Sequence, residues 1–235
     1  MSAAGQSPGA RLPAGAESPA GAGEPAGADG AAAGPAAGPH AAAAEAGGPV
    51  AVVIALGSNL GDRLGHLQAA VDALAAVPGL SVTAVSPVYR TDPVGGPDQP
   101  DYFNAVLLAD TTLPPAGVLS AAHAAEAARQ RTRTVRWGPR TLDVDIISYD
   151  ALVSADPVLT LPHPRAHERA FVLVPWHDLD PAAELPGHGP VAGLIAGLAG
   201  PAGPASPASP AGDGPAGDRL PDGLRRAGAG LRRPS

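Results

Sequence analysis

Residues 50–74 read VAVVIALGSNLGDRLGHLQAAVDAL, and this stretch sets the architecture. Val50 to Leu56 is a short apolar run rich in β-branched residues, the pattern of a buried strand. Gly57-Ser58-Asn59-Leu60-Gly61 breaks it. Asp62 is positioned to cap a helix on which Leu64, Leu67, Ala70, Val71 and Leu74 recur at helical spacing. Pro78-Gly79 ends that helix.

Outward from this strand and helix, residues 80–89 alternate as a second strand, with Val82, Ala84 and Val88 set against Ser81, Thr83 and Ser86. Residues 91–101 (TDPVGGPDQPD) form a Pro/Gly/Asp loop, and loops of that length inside compact domains are often functional. Residues 102–109 (YFNAVLLA) predict a third strand. Pro114-Pro115 opens a helix that runs through Glu126 to about Arg131, and a polar stretch follows to Pro139. Residues 141–149 (TLDVDIISY) predict the fourth strand. The order β-α-β-β-α-β implies an α+β fold with a ferredoxin-like core. Residues 158–185 add loops, short strands or a short helix as C-terminal additions. The chain has no internal repeat.

Composition places this core between two tails. Gly and Pro number 31 and 29 of 235 residues, and the excess concentrates in 1–49 and from 199 to the end. All seven aromatic residues lie between Tyr89 and Trp176. Segments without aromatic or β-branched residues bury too little apolar surface to offset chain entropy. Residues 1–49 and 199–235 are therefore expected to be disordered, around one domain at 50–198. The core carries nine Arg against 15 acidic residues, a balance of −6 within the net −7. That argues against a broad basic face for nucleic acid. There is no Cys, hence no disulfide framework or thiolate metal site. All 15 basic residues are Arg, which excludes a Walker A lysine, a Schiff-base lysine and a kinase-type strand lysine. No run of eighteen apolar residues occurs, and no secretory signal opens the chain. A cytoplasmic protein with no membrane partner is the expectation.

Chemistry concentrates in three segments. Asp143 and Asp145 alternate on one strand face, about 7 Å apart at Cα. They read either as a seat for hard cations bridging phosphates or as two solvated carboxylates. Arg129, Arg131, Arg133, Arg136 and Arg140 cluster just before that strand. Guanidinium forks in such number can neutralise a polyphosphate, although a lone Arg run is more often a solvated surface. Trp137-Gly138-Pro139 disfavours a helix there and puts these side chains on a loop. His163 and Arg169 lie in LPHPRAHERAF, with Phe171 close by. Tyr102, Asn104 and Phe171 offer an aromatic slot with an amide reader, or ordinary core packing.

Taken together, GSNLGDR, YRTDPVGGPDQPDYFN, RWGPRTLDVDI and LPHPRAHERAFVLVP resemble the 6-hydroxymethyl-7,8-dihydropterin pyrophosphokinase family, in its order and spacing across residues 50–180. The resemblance implies ATP-dependent transfer of a pyrophosphoryl unit to the hydroxymethyl oxygen of the dihydropterin, releasing AMP, in folate biosynthesis. It implies two Mg²⁺ ions held by Asp143 and Asp145, with ATP as co-substrate. It assigns Arg131 and Arg140, with the two Asp, to the catalytic set. It assigns Thr91, Pro93, Val94, Tyr102, Asn104, Trp137 and Phe171 to the pterin. It assigns His123, Glu126, Arg131, Arg133, Arg140, Ile146, Thr160, His163 and Arg169 to ATP. A monomer acting on small molecules is expected.

Four positions depart from the family pattern. His123 stands where a Gln is expected, Thr134 replaces a basic loop residue, Val158 stands where an Arg can contact the nucleotide, and Asp92 replaces a Pro. These bear on ATP binding and loop detail, not on the carboxylate pair. Two alternatives differ in class. A ferredoxin-like RNA-binding module would need a basic sheet face and a K/R-G-F/Y motif, and the chain has neither. A catalytically degenerate paralogue would not need the Asp pair and Arg140.

Overall fold

In the computed structural model, which describes residues 48–93, 99–129, 141–199 and 223–234, β1 (Val50–Ser58) is a central strand paired on both sides. β4 (Tyr102–Thr111) lies antiparallel on one side, and β5 (Asp143–Tyr149) antiparallel on the other. Beyond β4 lie β2 (Leu80–Val85) and β3 (Pro87–Thr91), both antiparallel to it. Helices α1 (Arg63–Ala75) and α2 (Pro115–Ala127) make the two crossovers. This is the expected βαββαβ order with its antiparallel sheet.

One predicted strand is two. Ser86 divides residues 80–89 by bonding twice to Val106. Its N–H donates to the Val106 carbonyl at 2.9 Å, and its hydroxyl accepts the Val106 N–H at 2.9 Å. A side chain thus replaces one rung of the ladder, next to Pro87, which has no N–H to give. Alternation alone does not register such a break.

The two sheet faces bury different helices. Val52, Ile54 and Leu56 of β1 pack with Leu67, Ala70, Val71 and Leu74 of α1 and with Val118, Ala122 and Ala125 of α2. Each such fully buried Leu or Val contributes about 1.5–3 kcal/mol relative to exposure. Asp62 starts α1 by accepting the Gly65 N–H at 3.0 Å, after Gly61 turns the chain at φ 61°. Val53, Val106 and Ile147 point to the opposite face and pack under α3 (Ala170–Leu179) and α4 (Val191–Leu198).

The C-terminal additions contain more regular structure than the sequence suggests. Two hairpins, β6 (Ser154–Ala155) with β7 (Thr160–Leu161) and β8 (Glu184–Leu185) with β9 (Gly189–Pro190), join a 3₁₀ turn over Ala166–Glu168 to α3 and α4. Within the last segment, expected to be disordered from 199 onward, residues 223–234 are described. β10 (Arg225–Gly230) pairs antiparallel with β3 and extends the sheet. Its stability comes from backbone pairing, from the buried Leu224 and from ties made by arginines, none of which composition reveals. Residues 1–47 and 200–222 lie outside the described residues. No helix among the described residues is long and apolar enough to cross a membrane.

Candidate active site

Strand alternation gathers the polar side chains of the site on the α3 face of the sheet. On β4 that face holds Tyr102, Asn104 and Val106, and on β5 it holds Asp143 and Asp145. Between them runs β1, whose residues on this face are Ala55 and Gly57. Gly57 pairs with Asn104 on one side and Asp143 on the other, and Ala55 pairs with Asp145. The smallest side chains therefore lie between two polar rows, leaving a shallow trough. A Cβ on Gly57 would stand 3.4 Å from Asn104 Oδ1 and 3.8 Å from Asp143 Cβ. Two strand spacings separate Asn104 from Asp143, about 10 Å at Cα.

On the Asn104 side, its Nδ2 donates to Thr91 Oγ1 at 2.8 Å, and both residues are buried. That bond fixes the amide so that Oδ1 points over Gly57. Tyr102 pairs with Thr91 across β3 and β4, and its hydroxyl donates to Gln99 Oε1 at 3.2 Å. Phe171 occupies the first turn of α3, half-buried against Tyr89 and Val174. Pro93 follows β3 and is half-buried. Val94 lies outside the described residues.

On the carboxylate side, Arg169 reaches Asp145, with Nη1 3.5 Å from Oδ2. The same nitrogen is 3.5 Å from His163 Nε2, and the guanidinium stands 5.5 Å from the centre of the Phe171 ring. His163 is brought here because its N–H donates to the Ile147 carbonyl of β5 at 2.8 Å. Its pKa is lowered to about 4, first by burial and then by the Arg169 charge. The Arg165 N–H donates to its Nδ1 at 3.1 Å, so the neutral ring carries its proton on Nε2. At neutral pH this corner of the trough thus presents two N–H donor groups beside two carboxylates.

Other expected residues lie on α2, β5 and β7. Glu126 is buried on α2, and its Oε1 accepts the Val144 N–H at 2.9 Å, holding β5 between its two aspartates. His123 is exposed on the same helix. The Ile146 side chain lies in the core on the α1 and α2 face, so only its backbone can meet a ligand in the trough. Thr160 donates its hydroxyl to the Asp156 carbonyl at 3.0 Å, and Val158 is 76% exposed. Arg131, Arg133, Thr134, Trp137 and Arg140 lie outside the described residues. Among the described residues no group of three His, Cys, Asp or Glu side chains could hold a metal ion.

The turn after β1, read from sequence only as a strand break, anchors the rim. Ser58 Oγ donates to the Thr141 carbonyl at 2.6 Å, two residues before Asp143. Asn59 Nδ2 donates to Gln99 Oε1 at 3.0 Å and to the Pro100 carbonyl at 3.3 Å. Arg63 Nη1 donates to the Asp101 carbonyl at 2.8 Å, while its guanidinium sits 4.0 Å above the Phe103 ring centre. A short polar turn beside a polar strand end was the available signal; its partners, 38 to 83 residues away, were not.

The chain has relatives whose names describe one chemistry. A family model described as 7,8-dihydro-6-hydroxymethylpterin-pyrophosphokinase matches residues 53–181. A 2-amino-4-hydroxy-6-hydroxymethyldihydropteridine pyrophosphokinase of Mycobacterium tuberculosis is 47% identical over 160 residues, covering 63% of this chain and 83% of that protein. The protein of the same name from Pseudomonas aeruginosa is 43% identical over 145 residues, covering 62% and 90%. That from Bacillus subtilis is 45% identical over 126 residues, covering 54% and 75%. Among solved structures, a triple mutant of Plasmodium falciparum HPPK-DHPS with pteroate aligns with a TM-score of 0.49 at 13% identity, over 64% of this chain and 44% of that one. The chain thus spans less than half of that protein.

Proposed function

The chain belongs to the 7,8-dihydro-6-hydroxymethylpterin-pyrophosphokinase family, and from that premise we propose that the trough over β1 is where its two substrates meet. The activity is ATP-dependent pyrophosphoryl transfer to the hydroxymethyl group of 6-hydroxymethyl-7,8-dihydropterin, releasing AMP, a step of folate biosynthesis. The observation that carries the proposal is the row Asn104–Gly57–Asp143, in which an amide reader and a carboxylate flank a residue without a side chain.

In this reading the pterin lies on the β3 and β4 side. Asn104 Oδ1 accepts from the polar edge of the ring, and Tyr102 and Phe171 supply the apolar faces, with Thr91 fixing the amide. Pro93, Val94 and Trp137 complete that half. The triphosphate lies on the β5 side. Arg169 and the His163 Nε2–H donate to its oxygens, and Arg131, Arg133 and Arg140 add charge. Glu126 acts indirectly, by bonding the backbone between the aspartates. His123, Ile146 and Thr160 belong to the adenosine side, Ile146 through its backbone.

The donor set fits Mg²⁺. Two carboxylates on alternate positions, with no third ligand clustered among the described residues, suit a hard cation that completes its shell with phosphate oxygens and water. When bound there, such ions supply charge neutralisation along the triphosphate. Everything else falls to the chain, and transfer of this kind needs alignment more than covalent help. His163 is neutral, its Nδ1 is occupied by the Arg165 N–H, and it serves as a donor rather than a base. The reading extends to a cytoplasmic monomer without nucleic-acid partner, supported by the acidic balance of the core.

AMP release by the full chain, measured with and without the hydroxymethyl-dihydropterin, tests the proposal. AMP should appear only when both substrates are present. ATP breakdown indifferent to the pterin overturns it.

A further inference from the structure

Residues 223–234 do more than extend the sheet. Leu224 is 1% exposed and packs with Tyr89 of β3 and Val174 of α3. Arg226 pairs opposite Tyr89, and its Nε donates to the Tyr89 hydroxyl at 3.0 Å. Its Nη2 donates to Asp178 Oδ2 at 2.7 Å, and the Tyr89 hydroxyl donates to the same carboxylate. Asp178 is on α3. One arginine therefore ties three elements at a point: β3, α3 and the C-terminal strand.

Both partners of that knot lead to the pterin half of the site. Two residues beyond Tyr89, Thr91 accepts from Asn104; Tyr89 itself pairs with Asn104. Seven residues before Asp178, Phe171 lies in the first turn of α3. Further along, the arm is held by Gln68 of α1, which donates to the Arg232 carbonyl at 3.0 Å and accepts its N–H at 2.7 Å. Arg233 donates to the Thr83 carbonyl at 2.8 Å. At its start, Gly223 (φ 67°) runs so close to Asp92 that a Cβ would come 3.0 Å from the carboxylate. Among the described residues, β10 pairs with β3, at the opposite end of the sheet from β5.

We propose that residues 223–234 are a positioning arm for the pterin half of the site, with Arg226 as the residue that holds β3 and α3 in register. Arg226 is a positioning residue, since it acts through Tyr89 and Asp178 and touches no substrate. An exposed ion pair alone is worth little. Here the guanidinium also satisfies a buried phenol, and it sits on a strand held by backbone pairing and a buried leucine, so the contacts form as a set. The arm rests on the reading above, in which Asn104 and Phe171 face the pterin.

Full-length variants decide the matter. Arg226→Gln keeps the exposed surface polar and removes the fork. Leu224→Asp puts a charge where the arm packs, and undocking is read separately as faster tryptic cleavage after Arg225 and Arg226. Both should raise KM for the pterin, by about fivefold for the loss of one or two hydrogen bonds, with KM for ATP within twofold. Arg226→Lys should restore part of the difference. Unchanged pterin KM in Leu224→Asp, with the arm shown to be cleaved, overturns the inference, as does an equal rise in both KM values. Asn104→Ala separates this failure from failure of the site itself. If it raises the pterin KM while the arm variants do not, the arm is wrong and the site stands; if it leaves that KM alone, the site reading falls and the arm with it.

Discussion

Asn104 and Asp143 pair with the same residue, Gly57, from opposite sides of β1. The distance between Asn104 and Asp143 is thereby fixed by sheet geometry rather than by loops.

The first prediction concerns Gly57. A Cβ there makes ordinary contact with Asp143 Cβ and a close one with Asn104 Oδ1, so Gly57→Ala should fold. In the proposed reading the added bulk occupies the space where the reacting groups approach. Misplacement of about 1 Å can cost about 100-fold in rate, and Gly57→Val should lose at least that much kcat while circular dichroism stays unchanged. AMP formation at wild-type rates in the valine variant would show that nothing reacts over β1.

Asp145→Ala should leave the fold intact, because the side chain is partly exposed and its pair with Arg169 is long at 3.5 Å. AMP formation should fall below detection even at saturating Mg²⁺ and ATP. Mg²⁺-dependent turnover surviving in this variant would remove Asp145 from the metal seat.

Tyr102→Ala should weaken pterin binding by about tenfold or more, in line with the loss of one aromatic stacking face, and should barely change ATP binding. Fluorescence titration of the pterin and calorimetry with a non-hydrolysable ATP analogue give the two affinities. Equal losses would count against the slot.

Tyr89 yields a prediction at high pH. Burial, and then its bond to Asp178, push its pKa up to about 12. A phenol whose folded pKa lies above its unfolded value of about 10 stabilises the fold fully below pH 10. That contribution is lost as pH rises towards 12. Absorbance at 295 nm should show a late phenolate step that Tyr89→Phe removes, and the phenylalanine variant should lose less thermal stability between pH 10 and 12. A titration complete by pH 10.5 in the native chain would contradict this.

What the sequence reveals of this site follows from period two. Asp143 and Asp145, and Tyr102 and Asn104, share a face because strand side chains alternate, so their grouping could be read without coordinates. Helix α1 was legible from its cap at Asp62 and its apolar stripe. Contacts that depend on a single side chain bonding to distant backbone were not legible. Ser86 splits a strand by replacing one rung, and Glu126 spends an oxygen on the Val144 N–H. Arg169 reaches both Asp145 and His163 from the end of a 3₁₀ turn whose sequence carries no periodicity. The strand at Arg225–Gly230 is not legible because RRAGAG has no β-branched or aromatic residue, while an edge strand needs only its backbone groups and a place to lie.

That same strand changes the outer rim of the sheet. Without it, β3 would offer its unpaired N–H and C=O groups to any passing chain, next to the buried Val88 and Tyr89. With it, the rim is Arg225–Gly230, two positive charges followed by alanines and glycines. A rim strand of charged and small residues is a poor template for a further strand. With residues 225–230 covering the β3 edge, a variant with an undocked arm should self-associate at lower concentration than the native chain, which light scattering reads.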